Sequence, residues 1–283
     1  LLAPIMLLEG HAAAVYTARF APSGRHLVSG SHDATLLVWE VFGDCRNVLT
    51  LRGHANAVLE AQWLSDGERI ASASADKTAA LWDAQTGARL RRFRGHSSHV
   101  NGVCAARDGV VLATASDDGT ARIWDARAPR RCQRTLAHAG VAVTAVALSA
   151  SGTEAYPGAL DGRVRAFDLR KEADDATLTL AGHRDIVTSV SLSPDGRSLL
   201  SNAMDATLRR WDVRPYCATE RCEQIYTGAQ HNFERTLIRC SWSPAGERVA
   251  AGSSDHCAYV WDANSSRICY KLPGHTGAVN EVS

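Results

Sequence analysis

The chain has 283 residues, 45% of them hydrophobic, and its 31 basic and 30 acidic side chains leave a formal net charge of +1. That apolar content is ordinary for a globular protein with a large interior. Near-neutrality supplies no global field to attract nucleic acid or an anionic membrane, so any RNA contact must be local and indirect. The longest apolar run, around Val141 to Leu148, falls far short of the roughly 18 residues needed to cross a bilayer, and no membrane contact is expected.

In chain order, Ala3 to Leu8 reads as one isolated strand ahead of Gly10-His11. A first repeat follows from Val15 to Val41, with Pro22-Ser23-Gly24 as its first turn. The second repeat shows the unit most clearly. Val58 to Trp63 is a strand, Ser65-Asp66-Gly67 a hairpin turn, Arg69 to Ala73 a second strand, and Ala75-Asp76-Lys77 turns into a third strand ending at Trp82. Ala88 to Arg94 then reads as an outer edge strand, and no stretch of the unit is long enough for a helix.

The pattern recurs. Gly-His or its degenerate form ends at His11, His54, His96, His138, His183, His231 and His275, in steps of 42 to 48 residues. An aromatic-acidic pair closes each of the first six repeats, at Trp39, Trp82, Trp124, Phe167, Trp211 and Trp261, which is 28 to 30 residues after the His. Six residues before each aromatic stands an Asp: Asp33, Asp76, Asp118, Asp161, Asp205 and Asp255. Ten before it stands a hydroxyl at Ser29, Ser72, Thr114 and Ser201, but Pro157 and Ala251 occupy that place in repeats four and six.

A repeat of this length, with Gly-His at one end and Trp-Asp at the other, resembles the WD40 family over the whole chain. The resemblance implies an all-β propeller forming one domain over residues 1–283. It also implies a buried relay in which an indole N–H bonds a hydroxyl, the hydroxyl a His, and the His an Asp. The matching positions are His11, Ser29, Asp33 and Trp39 in repeat one; His54, Ser72, Asp76 and Trp82 in repeat two; His96, Thr114, Asp118 and Trp124 in repeat three; and His183, Ser201, Asp205 and Trp211 in repeat five. Each polar group in such a relay has a partner, which burial requires. Seven Gly-His positions imply seven blades. Residues 1–9 are then expected to supply the closing edge strand of the last blade, and 276–283 to begin a seventh blade whose remaining strands lie beyond Ser283.

Ser, His and Asp together also spell a hydrolase triad. A triad, however, occurs once, beside a cleft and an oxyanion hole, whereas this grouping is repeated and expected inside blades, and no G-x-S-x-G, P-loop or H-E-x-x-H motif accompanies it. Of the eight cysteines, only Cys217 and Cys222 are close, and a lone C-x₄-C is a weak zinc signal. Scattered unpaired cysteines fit a reducing compartment. No catalytic residue, metal or cofactor is expected.

Two arginine clusters, Arg89, Arg91, Arg92 and Arg94, then Arg127, Arg130, Arg131 and Arg134, fall on outer edge strands or their approaches. They read either as a basic patch for phosphates or an acidic partner, or as charges that blunt exposed edges. Repeat four departs furthest, with Ala137 for Gly, Pro157 for the hydroxyl and Phe167 for Trp, so its second strand is expected to be irregular. The run from Arg170 to Thr177 reads as a solvated turn.

Repeats five and six carry particular wording around Ser201-Asn202-Ala203-Met204-Asp205 and His231-Asn232-Phe233-Glu234. With the opening APIMLL, VFGDC at Val41 and YKLPGHTGAVNEV at Tyr270, these stretches resemble the WD-repeat class found in the U5 small nuclear ribonucleoprotein of the spliceosome. That resemblance implies a nuclear, non-catalytic scaffold for the large spliceosomal processing factor and its associated U5 proteins, with no small-molecule substrate and no homo-oligomer. Arg214, Tyr216, Asn232, Phe233 and Arg235 are the expected partner-contacting residues, because a stretched loop with an aromatic and an arginine is a fair hot spot. The alternative is a substrate receptor of a cullin ubiquitin ligase, since Trp124-Asp125-Ala126-Arg127 and Trp211-Asp212-Val213-Arg214 match a W-D-x-R docking pattern.

Overall fold

The computed structural model describes residues 6–127, 132–138, 140–171, 175–217, 220–232 and 236–283. It contains six four-stranded antiparallel sheets, each a simple meander. The first blade is β1 (Val15–Phe20), β2 (His26–Ser31), β3 (Thr35–Glu40) and β4 (Asn47–Arg52); the second is β5 (Val58–Trp63), β6 (Arg69–Ser74), β7 (Thr78–Asp83) and β8 (Arg89–Arg94). The third is β9 (Val100–Ala105), β10 (Val111–Ser116), β11 (Thr120–Asp125) and β12 (Cys132–Ala137); the fourth is β13 (Val143–Leu148), β14 (Glu154–Ala159), β15 (Arg163–Asp168) and β16 (Leu178–Ala181). The fifth is β17 (Val187–Leu192), β18 (Ser198–Ala203), β19 (Thr207–Asp212) and β20 (Cys222–Thr227); the sixth is β21 (Cys240–Trp242), β22 (Arg248–Ala251), β23 (Cys257–Asp262) and β24 (Ile268–Pro273).

The first strand of each blade lies innermost and packs on the first strand of the next, from β1 through β21. Between consecutive blades sits an apolar cluster. Val28, Leu36 and Val38 of blade one, for example, meet Val58, Ile70 and Trp82 of blade two, all with almost no exposed surface. Each such cluster takes from water what one two-faced sheet leaves bare, which is why a blade is not stable alone.

The expected count of seven blades is corrected to six. Gly-His marks a corner where a repeat begins, whereas a sheet needs its strands, and the seventh corner, Gly274-His275, opens no sheet among the described residues. Residues 276–283 and residues 6–9 join no ladder among the described residues, and residues 1–5 of the expected closing strand lie outside them. The segment after His275 instead runs as a single extended length between the first and sixth blades. Arg239 N–H donates to the Asn280 carbonyl at 2.7 Å and Val279 N–H to the Ser253 carbonyl at 3.0 Å. On its other flank, Ala18 N–H donates to Glu281 at 2.7 Å, Asn280 Nδ2 to the Val15 carbonyl at 2.8 Å, and Arg19 pairs with Glu281 at 2.6 Å. Where other blades meet through an apolar cluster, this joint is built of hydrogen bonds and charge. The outer strand β24 correspondingly leaves Ile268, Tyr270 and Leu272 about half exposed.

Pro157 sits inside β14 without breaking it. From Ala155 to Ala159, β14 keeps a partner on β13 at every residue, Pro157 opposite Val146, with a register shift at Thr144 of β13, but its ladder with β15 has no pairs between Ala155 and Gly158. The expected irregularity thus falls on one side of the strand, as loss of a single backbone donor implies.

Candidate functional site

Each blade carries a polar corner where the loop entering its inner strand meets the turn between its second and third strands. In blade two, Trp82 Nε1–H donates to Ser72 Oγ at 2.8 Å, Ser72 Oγ lies 2.8 Å from His54 Nε2, and His54 Nδ1 lies 3.0 Å from Asp76 Oδ2. The hydroxyl has one proton and accepts from the indole, so it donates to Nε2. The ring is thereby fixed as the Nδ1–H tautomer donating to the carboxylate. The structure brings together the same four groups in blades one (Trp39–Ser29 2.8 Å, Ser29–His11 2.8 Å, His11–Asp33 2.9 Å), three (Trp124–Thr114 2.9 Å, Thr114–His96 2.7 Å, His96–Asp118 2.8 Å) and five (Trp211–Ser201 2.8 Å, Ser201–His183 2.7 Å, His183–Asp205 3.1 Å).

Gly precedes His because of the indole. A Cβ at Gly10 or Gly182 would stand 2.9 Å from the edge of Trp39 or Trp211, too close for carbon on carbon. Repeat four, with the smaller Phe167, is also the one that carries Ala137.

Reading the sequence missed a fifth member. Thr35, Thr78, Thr120 and Thr207 stand two residues after the Asp and donate their hydroxyls to it at 2.6 to 2.7 Å. The D-x-T spacing in those four repeats was the available signal. Burial alone would raise the Asp76 carboxyl, but donation from His54, Thr78 and the Ala55 N–H holds it far below the ordinary carboxylate range. Asp205 is depressed in the same way by His183, Thr207 and the Arg184 N–H, and Asp33 by Thr35, His11 and the Ala12 N–H. His96 goes down because burial outweighs its bond to Asp118.

Blades four and six fill the corner differently, with residues that spacing did not reveal. In blade four, Arg165 bridges His138 and Asp161, its Nη1 lying 2.6 Å from His138 Nδ1 and its Nη2 2.7 Å from the Asp161 carboxylate. A guanidinium only donates, so the ring nitrogen it meets carries a lone pair. Burial first, then the Arg165 charge, push His138 down to about 4. In blade six, Tyr259 donates to Asp255 at 2.6 Å, and Lys271 pairs with the same carboxylate at 2.9 Å. Trp261 donates to the Thr227 carbonyl at 3.0 Å, and His231 turns 3.4 Å from Asn202 of blade five.

The surface residues fall into two places. Arg214 and Tyr216 lie in the loop between β19 and β20, while Asn232 lies in the loop between β20 and β21. Consecutive antiparallel strands put those loops at opposite ends of the blade, so the two halves of the expected partner surface are separate. Tyr216 is 94% exposed, and Arg214 is folded back on Asp212, with Nη2 to Oδ2 at 2.6 Å. Asn232 is half-buried and accepts from Thr236 at 3.5 Å; Phe233 and Arg235 lie outside the described residues. At the ring's centre, Glu60 accepts from the Val103 N–H at 2.8 Å and lies 3.6 Å from buried Arg239. Burial raises Glu60, against the pull of Arg239.

The profile of the family described as WD domain, G-beta repeat matches residues 2–40, 45–83, 87–125, 175–212 and 222–262. It passes over the repeat whose corner holds Arg165 and Phe167. Three likenesses that cover nearly all of this chain stand beside it. The U5 small nuclear ribonucleoprotein 40 kDa protein of Homo sapiens is 49% identical over 281 residues, covering 99% of this chain and 78% of that protein. Its Dictyostelium discoideum namesake is 42% identical over 280 residues, with 99% and 78% covered. The pre-mRNA-splicing factor cwf17 of Schizosaccharomyces pombe is 40% identical over 279 residues, with 99% and 81% covered.

Proposed function

We propose, on the premise that this chain belongs to the WD domain, G-beta repeat family, that it is a non-catalytic scaffold of the U5 small nuclear ribonucleoprotein and acts in pre-mRNA splicing in the nucleus. The observation that carries this reading is likeness from end to end, at 40 to 49% identity, to proteins named for that particle or for splicing. Its partners are then the large spliceosomal processing factor and associated U5 proteins, with RNA met indirectly. The chemistry of the corners supports the non-catalytic part. Each relay hydroxyl is buried between an indole donor and an imidazole, which leaves it no free approach for an electrophile. The relatives give no support to a cullin-ligase receptor. Within this reading, Arg214 and Tyr216 at one end of blade five, and the loop holding Asn232, Phe233 and Arg235 at the other, contact separate partner surfaces.

Affinity purification of the tagged chain, with and without ribonuclease, tests the assignment. U5 proteins are expected in both samples; recovery of a cullin adaptor in their place refutes it. Recovery unchanged in Arg214→Glu and Tyr216→Ala would remove those two residues from the interface.

A further inference from the structure

The outer strands of the six blades differ sharply in charge. β8 reads RLRRFR, whereas β4 reads NVLTLR, β12 CQRTLA, β16 LTLA, β20 CEQIYT and β24 ICYKLP. Four arginines on one edge strand need an account, and their partners supply part of it. Arg92 is anchored inward, 3.1 Å from Asp76, and belongs to the corner of blade two. Arg89 donates to the Gly53 carbonyl at 2.7 Å, and Arg91 to the Arg127 carbonyl at 2.8 Å. Carbonyls fix direction but cancel no charge. Arg94 is exposed, and its side chain has no hydrogen bond or ion pair among the described residues. Three of the four guanidiniums therefore meet no carboxylate among the described residues, although Arg89 lies 5.9 Å from the centre of the Trp82 ring. Arg130 and Arg131 of the neighbouring cluster lie outside the described residues.

The same strand is open. β8 pairs only with β7, so the backbone groups of its far side point outward in the manner of any sheet edge. Leu90, skipped by the register between Leu81 and Trp82 of β7, is 48% exposed. With Arg89, Arg91, Arg92 and Arg94 it lines a concavity of about 350 Å³.

From this edge we infer that β8 is a docking strand for an extended acidic segment of a partner protein, which adds to blade two as a fifth strand. Backbone bonds along β8 supply the pairing, and carboxylates opposite Arg91 and Arg94 supply selectivity, as in strand addition generally. A single-stranded nucleic acid is the poorer fit. Such ligands need aromatic faces on which bases stack, and the one aromatic of β8, Phe93, is buried against Trp124 with ring centres 5.4 Å apart. The inference deepens the scaffold reading by giving it a surface and a ligand chemistry. Its test uses the purified chain alone, so it can fail while the splicing assignment stands.

The probe is a fluorescein-labelled peptide of eight residues, valine throughout except for two glutamates three apart, one for each face of the added strand, read by anisotropy. Saturable binding that weakens with salt is expected, together with a loss of at least tenfold in the Arg91→Ser, Arg94→Ser double variant at an unchanged melting midpoint. The same peptide N-methylated at every backbone nitrogen, which leaves neither edge able to donate, is expected not to bind. Equal binding of the methylated peptide overturns strand addition. Failure of the peptide to bind, tighter binding of a ten-nucleotide uridine RNA, or a double variant that self-associates while binding peptide normally each overturns the docking role.

Discussion

Blades two and four have the same four-stranded meander and a blade on either side, yet they hold their corners by different means. Blade two threads a line of hydrogen bonds from Trp82 through Ser72 and His54 to Asp76. Blade four sets a guanidinium between His138 and Asp161. The first solution surrounds the Asp76 carboxylate with donors, the Arg92 guanidinium among them; the second sets its guanidinium in the line itself, between imidazole and carboxylate, and keeps the imidazole short of a proton. A propeller thus constrains the shape of the corner more tightly than its chemistry.

The largest way to break the comparison is to remove the two carboxylates. Asp76→Ala strands the His54 Nδ1–H, the Ala55 N–H and Arg92, and is expected to cost about 3 kcal/mol in urea unfolding, because buried donors lose a charged acceptor. Asp161→Ala loses a partly exposed pair with Arg165 and is expected to cost about 1 kcal/mol or less. Equal costs would mean that the two corners are energetically the same.

Acid sharpens it further. His138 is held down at about 4, below the free imidazole value, so between about pH 6.5 and 4 the unfolded chain binds more protons than the fold. Its contribution is present in full above pH 6.5 and lost as pH falls through that window, on the order of 2 kcal/mol. His138→Asn is expected to flatten the pH dependence of stability there. The relay carboxylates act in a separate range. Asp33, Asp76 and Asp205 are depressed, so their stabilisation begins to fail only below about pH 4. A His138→Asn profile parallel to the wild type would count against the Arg165 contact.

The smallest effect belongs to blade six. Tyr259→Phe removes one donor from Asp255 but leaves Lys271 in place, and about 0.5 to 1 kcal/mol is expected from thermal unfolding. A loss comparable to that of Asp76→Ala would show that the tyrosine replaces the whole relay.

How much of this could be read from the chain depends on whether a feature is local in the repeat. The strands of blade two fall within a residue or two of where turn chemistry placed them, because Gly67 and the Asp76 turn fix both hairpins. The members at fixed offsets, His54, Ser72, Asp76 and Trp82, were legible for the same reason. Thr78 was equally legible and was overlooked. Arg165 and Tyr259 were not, since each enters a corner only where the usual residues are absent, and no spacing rule announces a replacement. The blade count failed because Gly-His signals a corner, while a sheet depends on pairing that one extended segment cannot provide. Joining Arg214 and Tyr216 to the loop of Asn232 ignored strand parity, which sends successive loops to opposite ends.

All seven indole N–H groups of the chain are spoken for. Trp39, Trp82, Trp124 and Trp211 donate to hydroxyls, and Trp63, Trp242 and Trp261 to the carbonyls of Arg19, Ser191 and Thr227. Since no relay indole can reach water until its blade opens, hydrogen exchange at these nitrogens follows local opening rather than surface chemistry. A spectrum of the nitrogen-15-enriched chain would therefore resolve the ring blade by blade with no foreign probe attached, and Phe167 leaves blade four as the one dark sector of that map.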